Sequence, residues 1–292
     1  MKILGTGTGL PLHIVKNKKI ESWGLSSDKW IKENLGIKER RVSFAPSSSL
    51  GIRAAEEAIK NAGLGALDID LLIVATSTPD KINPSTACII QHRIGAYNAV
   101  CFDVNAVCAG FVYALTLAHE LPYKNALVIG VDTFSHITDW ADRDCVFFGD
   151  GAGAVVVNKS DDLFHYKLKS DGRGRYGFYT NKGETFNMNG KEVYKQATTV
   201  LPKLIENTLI EANLKIEDIS CLLPHQASKN VLNELAKKIG LPFSKVKTNL
   251  DKYGNTAGAS IPILIHENEL KGNVLIAAIG SGWVYGVIVM EW

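Results

Sequence analysis

The sequence predicts an α/β protein in which strands and helices alternate twice over. Three observations carry that expectation. Continuous apolar runs such as LLIVAT at 71–76 and ALVIGVD at 126–132 have the length and β-branched content of buried strands. Stretches with apolar residues at helical spacing separate them, opened by Ser or Asp and closed by Gly. The rhythm restarts near residue 160, which divides the chain into 1–160 and 161–292. Alternation of this kind implies mostly parallel sheets covered by helices.

In order, KILGTGTG at 2–9 reads as a strand with a glycine-rich end. Its G-T-G-T-G spacing is not the dinucleotide fingerprint, and no suitably placed acid follows, so nucleotide binding is not supported there. Ser27 and Asp28 can cap a helix that runs through Trp30 to Leu35 and ends at Gly36. An amphipathic helix starts at Ser49 and is closed by Gly63. After the 71–76 strand come a helix over 85–94 and a short buried strand over 101–106. Phe111, Ala114, Leu115, Leu117 and Ala118 then fall at helical spacing. The 126–132 strand, a polar loop over 135–144 and the strand GAGAVVVNK complete the first run.

The second run opens with a strand-like stretch at 163–169. A long helix over 190–213 follows, with Pro202 as a kink or break. A strand at 220–223, a helix at 229–239 ended by Gly240, and a strand at 246–249 come next. A helix over 257–269, despite Pro262, leads to 273–290, an uncharged stretch approaching membrane-spanning length. Gly280-Ser281-Gly282 splits it, and the β-branched halves fit two buried strands joined by a tight turn.

At 292 residues and 46% hydrophobic content, the chain can bury a large core. A net charge of +2, from 32 basic against 30 acidic residues, argues against a nucleic-acid partner. Lys16-Asn17-Lys18-Lys19 reads as a solvated loop. Cys88, Cys101, Cys108, Cys145 and Cys221 are odd in number and contain no C-x-x-C. They read as reduced thiols of a cytoplasmic protein without disulfides or a zinc site. The N-terminal apolar stretch is too short for a signal peptide and is broken by glycines.

Chemistry concentrates at three places. Cys108 lies where a strand gives way to a helix, with Ala109 and Gly110 leaving room around the sulfur. The helix N-terminus is expected to favour the thiolate and lower its pKa. Pro224-His225-Gln226 directly follows an apolar strand, and Tyr253-Gly254-Asn255-Thr256 precedes a helix. These are strand-end and helix-start positions of the kind where α/β sheets place ligands.

DVNAVCAGFVYAL, FGDGAGAVVV, PHQAS, YGNTAGASIP and GSGWVYG, in that order, resemble the signatures of the β-ketoacyl-ACP synthase III family. SDKWIKENLGIKERR is similar to that family's segment over the coenzyme A entrance, and the likeness runs from residue 2 to Trp292. The resemblance implies a thiolase-like fold of two duplicated halves in five layers, α-β-α-β-α. The first half would carry the nucleophile, the second the histidine and asparagine. It implies that Cys108 is acylated by an acyl-CoA. The backbone N–H groups of Cys108 and Ser281 would form an oxyanion hole, and His225 and Asn255 would bind the enolate oxygen of a decarboxylating malonyl thioester. Trp30 and Arg143 would grip coenzyme A. Phe134 and Asn83, the last from a neighbouring subunit, would border the acyl pocket, and Phe111 and Phe148 read as pocket lining or core near the nucleophile, with core packing favoured for both. The substrates would be acyl-CoA and malonyl-ACP, as phosphopantetheine thioesters. No permanent cofactor, metal or membrane is expected, and the expected assembly is a homodimer.

Two family arginines that hold the coenzyme A or phosphopantetheine arm are replaced, by Asn34 and Asn230, and the chain is trimmed within 161–190 and near Lys271. These departures keep a ketosynthase or acyl transferase of specialised metabolism as the alternative to fatty-acid initiation. A non-catalytic partner subunit is a third reading, which intact Cys108, His225 and Asn255 argue against.

Overall fold

A computed structural model describes all 292 residues. The first run comprises strands β1 (Lys2–Gly9) and β2 (His13–Lys16), helices α1 (Asn17–Glu21) and α2 (Asp28–Asn34), and β3 (Glu39–Val42). It continues with α3 (Ser47–Asn61), β4 (Leu71–Ala75), α4 (Thr86–Ile94), β5 (Val100–Val104), α5 (Gly110–Glu120), β6 (Asn125–Asp132) and β7 (Gly151–Asn158). The second comprises β8 (Phe164–Ser170), β9 (Phe178–Thr180), β10 (Phe186–Met188), α6 (Gly190–Glu211), β11 (Ile219–Pro224) and α7 (Lys229–Ile239). It closes with α8 (Leu250–Tyr253), α9 (Ser260–Glu267), β12 (Asn273–Gly280) and β13 (Val284–Glu291).

Two main sheets follow one plan. The first has the order β1-β7-β6-β4-β5, the second β11-β12-β13-β8. In the first, β4 pairs parallel with β5 and β6, while β6 with β7 and β7 with β1 are antiparallel. In the second, β11 pairs parallel with β12, then β12 with β13 and β13 with β8 are antiparallel. The expectation of mostly parallel sheets is therefore corrected to mixed sheets. β7 and β13 follow their predecessors through loops that reverse the chain, with no crossover helix between.

The predicted strand at 246–249 is absent. Val246 makes one parallel bridge to Leu222, and Thr248 and Asn249 bond instead to the side chain of Gln226. The single bridge lies beside β11 where β5 lies beside β4, so the second sheet lacks its outer strand. β5 itself was expected to be buried. It is the edge of its sheet, with Val100 48% exposed and the rest half-buried. Pro202 does not break α6, which runs unbroken from Gly190 to Glu211. The amphipathic helix starts at Ser47, two residues before Ser49, because Asp80 accepts from the Ser48 N–H and hydroxyl and holds its first turn.

The layers follow from which faces are apolar. α3 packs on β1, β6 and β7, and α4 on β4 and β5. α6 covers β12 and β13, with α7 beside it. α5 and α9 lie between the sheets and touch both, which makes five layers, α-β-α-β-α. The largest core cluster fills this middle, from Ile73 and Val128 on one sheet to Ile276 and Ile288 on the other. The uncharged stretch over 273–290 is the β12–β13 hairpin inside this core, and no helix is long and apolar enough to cross a membrane.

Candidate active site

α5 and α9 begin alike. Each is preceded by a short 3-10 turn, Val107–Ala109 and Ala257–Ala259. Each turn opens on a residue held at positive φ, Val107 at 47° and Ala257 at 46°. A β-branched valine in that region is strained, and such strain persists only where the surroundings enforce it. Here it turns the chain sharply enough to put Cys108 at the mouth of a cavity between the halves.

Cys108, His225 and Asn255 meet at that cavity of about 50 Å3. Phe148, Phe178, Met188, Val193 and Trp283 form its walls. Trp283 needs the room left by two glycines: a Cβ on Gly174 or Gly177 would lie 1.8 or 2.3 Å from its indole. A larger groove of about 640 Å3 runs along α6, but no cysteine or histidine lines it.

The cavity sets the protonation states. Burial, and next the Asp132 carboxylate, push the Cys108 thiol well above its ordinary range, only partly offset by its own backbone N–H. Burial and a nearby negative charge thus run against the lowering expected from the helix N-terminus. Asp132 is itself fully buried and raised to about 6 by that burial. Donors from Thr76, Ser77, Thr78 and Gly258 surround it.

His225 is 6% exposed, and burial lowers it to about 4, so its imidazole is neutral at neutral pH. Its Nδ1 lies 2.9 Å from the Ser260 hydroxyl, while Nε2 has no protein partner. Asn255 Oδ1 accepts from the Ala257 N–H at 2.9 Å, which turns the amide NH2 group away from that contact and leaves it without a protein acceptor. The N–H groups of Cys108 and Ser281 donate to no other residue, and Gly280 lies against the Cys108 turn, its Cβ position 3.2 Å from Ala109 N. Two backbone N–H groups, an amide NH2 and a ring nitrogen, none with a protein hydrogen-bond partner, thus belong to residues lining the one cavity.

Gln226, fully buried, holds the His225 loop in place through bonds to Pro224, Lys247, Thr248 and Asn249. Its apolar neighbours in PHQA gave only a motif, not this clamp. Trp30 and Arg143 do meet: the guanidinium lies 4.3 Å from the indole centroid. Buried Arg40 fastens the Arg143 turn by bonding to Val146 O, Val15 O and Asn17. Of the replaced arginines, Asn34 bonds back to Trp30 O, and Asn230 is exposed.

The pocket residues fared less well. Phe111 does not line the cavity: it is wholly buried in the central core, because α5 turns that face toward the sheets. Phe134 stacks behind Phe148, centroids 4.6 Å apart, so it supports the wall and does not form it. Asn83 is exposed and takes no part in the cavity of its own chain.

Two mixed sheets around a paired helical layer, with Cys, His and Asn converging between the halves, define a thiolase-like fold. The chain belongs to the 3-oxoacyl-[acyl-carrier-protein] synthase III family, a family of acyltransferase-type condensing enzymes. The profile of the family's 3-oxoacyl-[ACP] synthase III segment matches residues 102–172, and that of its C-terminal segment matches 209–292. A β-ketoacyl-[acyl-carrier-protein] synthase III of Clostridium acetobutylicum is 41% identical, the match covering 100% of this chain and 98% of that protein. The crystal structure of the Aquifex aeolicus 3-oxoacyl-[acyl-carrier-protein] synthase III superposes with a TM-score of 0.96 at 37% identity, covering 100% of this chain and 99% of that one. The priming β-ketosynthase of the R1128 polyketide pathway gives a TM-score of 0.93 at 28% identity, covering 99% and 95%.

Proposed function

We propose that this protein starts fatty-acid synthesis by condensing a short acyl-CoA with malonyl-ACP through an acyl-Cys108 intermediate. The convergence of Cys108, His225 and Asn255 on one cavity carries this reading. The Cys108 sulfur attacks the acyl-CoA carbonyl, its proton leaves with the coenzyme A thiol, and the acyl group stays on sulfur. The N–H groups of Cys108 and Ser281 receive the oxyanion. The malonyl thioester then loses CO2, and its enolate oxygen rests on His225 and Asn255, both uncharged donors. The enolate carbon attacks acyl-Cys108, the Cys108 thiolate departs, and a 3-ketoacyl thioester leaves.

The supporting frame is two halves, 1–160 with the nucleophile and 161–292 with its partners. Trp30 and Arg143 hold coenzyme A at the rim, and thioesters pass through as substrates, with no resident cofactor. A homodimer forms along β5, whose half-exposed Phe102 and Val104 and exposed Val100 need cover. There Asn83 of a second copy reaches the pocket. The working compartment is the cytoplasm. The second reading, priming of a specialised metabolite, is favoured by the replacements at Asn34 and Asn230.

Incubation with acetyl-CoA, followed by denaturing mass spectrometry, tests the assignment. One acyl group on a Cys108 peptide, lost in Cys108→Ala, is expected; label on Cys88, Cys101, Cys145 or Cys221 would refute it.

A further inference from the structure

We propose that Ser260 is a positioning residue whose hydroxyl donates to His225 Nδ1 and thereby keeps the imidazole proton on Nε2, the nitrogen that faces the cavity. The inference rests on the reading of His225 as an enolate donor and extends it by one residue. Ser260 is 1% exposed and is the first residue of α9, directly after the strained turn at Ala257. A serine in a helix commonly returns its hydroxyl to the carbonyl four residues back. Ser260 does not: the sole partner of its Oγ is His225 Nδ1, at 2.9 Å.

The proton count then decides the tautomer. A neutral imidazole has one donor and one acceptor nitrogen. With the proton on Nδ1, the ring would donate to Oγ, and the hydroxyl hydrogen would be left buried without an acceptor. With the proton on Nε2, the hydroxyl donates to Nδ1, and the one hydrogen left over is the Nε2–H, which faces the cavity and the place of a bound acceptor. The Ala257 backbone lies against the ring and favours its protonated form, a smaller effect than the burial that keeps the imidazole neutral. Asn255 is set by the same logic, since the Ala257 N–H occupies its acceptor oxygen. One short stretch, Ala257 to Ser260, therefore supplies two internal donors that orient both cavity donors outward.

The test combines a spectroscopic and a kinetic reading on the full-length protein. Ring 15N shifts, with His225 assigned by its loss in His225→Gln, report which nitrogen is protonated. The wild type and Ser260→Thr should show the Nε2–H form, and Ser260→Ala a mixture or the Nδ1–H form. CO2 release from malonyl-ACP should fall about 10- to 100-fold in Ser260→Ala, the scale of losing a partner that orients a ligating or catalytic histidine. It should return in Ser260→Thr, with KM for malonyl-ACP unchanged and single-turnover Cys108 acylation within twofold of wild type. An unchanged tautomer and rate in Ser260→Ala would overturn the proposal. So would equal loss of acylation and decarboxylation, which would make Ser260 a packing residue, or failure of Ser260→Thr to rescue. A wild type with Nε2–H that never decarboxylated malonyl-ACP would instead overturn the function assigned to His225, while the tautomer assignment to Ser260 stood on its shifts.

Discussion

The turn before α5 and the turn before α9 have almost the same backbone and different chemistry. Both are 3-10 turns entered through a residue near φ 46–47°, and both lead into a helix of the middle layer. In the first, the residue after the strained position is Cys108. In the second it is Gly258, and the functional group, Asn255, stands two residues before the strained one. The difference teaches that the fold supplies a way to aim a side chain between the sheets, and that under the proposed function the side chains decide which half attacks and which half only donates.

That division is sharpest in a pair of variants. Cys108→Ala should abolish acyl transfer. Asn255→Ala should leave single-turnover acylation intact and slow malonyl decarboxylation by about 10²-fold, the scale of one lost oxyanion donor. Acyl mass and labelled CO2 release read the two steps separately; loss of acylation in Asn255→Ala with decarboxylation spared would dissolve the distinction.

The halves should also differ in pH response. With the Cys108 thiol raised, thiolate is a minority species through neutrality, so acylation should climb up to about tenfold per pH unit from 6 to 8. His225, lowered to about 4, stays neutral over the same range, so decarboxylation by pre-acylated enzyme should be flat. Stopped single-turnover assays at each pH check this, and a flat acylation profile would contradict the raised thiol.

Stability gives a smaller effect. His225 protonates near 6.5 when unfolded and near 4 when folded, so the unfolded chain binds the extra proton between those values. Its contribution, about 3 kcal/mol in all, is present above pH 6.5 and is lost as pH falls to 4. Asp132, raised from 3.8 to about 6, works in the opposite sense across much of that window. Urea unfolding should therefore show the wild type losing more stability than His225→Gln between pH 7 and pH 5. Least affected should be Arg143→Ala, which removes a rim contact: KM for acyl-CoA should rise a few-fold, with kcat and decarboxylation unchanged in steady-state assays.

Much of this was legible in the chain because its signals are local. Cys108, His225 and Asn255 each sit in a short motif at a strand end or helix start, and helix caps such as Ser27 and Gly240 fell where the sequence put them. Strand direction was not legible, since β7 and β13 carry the same apolar runs whichever way they pair. The exposure of β5 depends on its place at the sheet edge, and the absent strand at 246–249 on the competing demand of Gln226. The thiol's shift comes from a carboxylate 24 residues away in the chain, at Asp132, and from walls contributed by the other half. Phe111 and Phe148 were left between lining and core for a related reason: sequence alone does not say which face a ring occupies, and the fold puts Phe111 in the core and Phe148 in the cavity wall.

The glycine at 258 has a consequence for stoichiometry. A Cβ there would lie 3.1 Å from Asp132 Oδ2 and 3.4 Å from Val107 O, so the place matching the nucleophile's is already taken by a carboxylate. A duplicated frame offers two stations for cargo, one in each half. This one has a single cysteine berth, and its counterpart is a glycine pressed close to the Asp132 carboxylate. At saturation each chain should therefore hold one acyl group, and a cysteine grafted at 258 would sit tightly against the Asp132 carboxylate, a setting that opposes its thiolate.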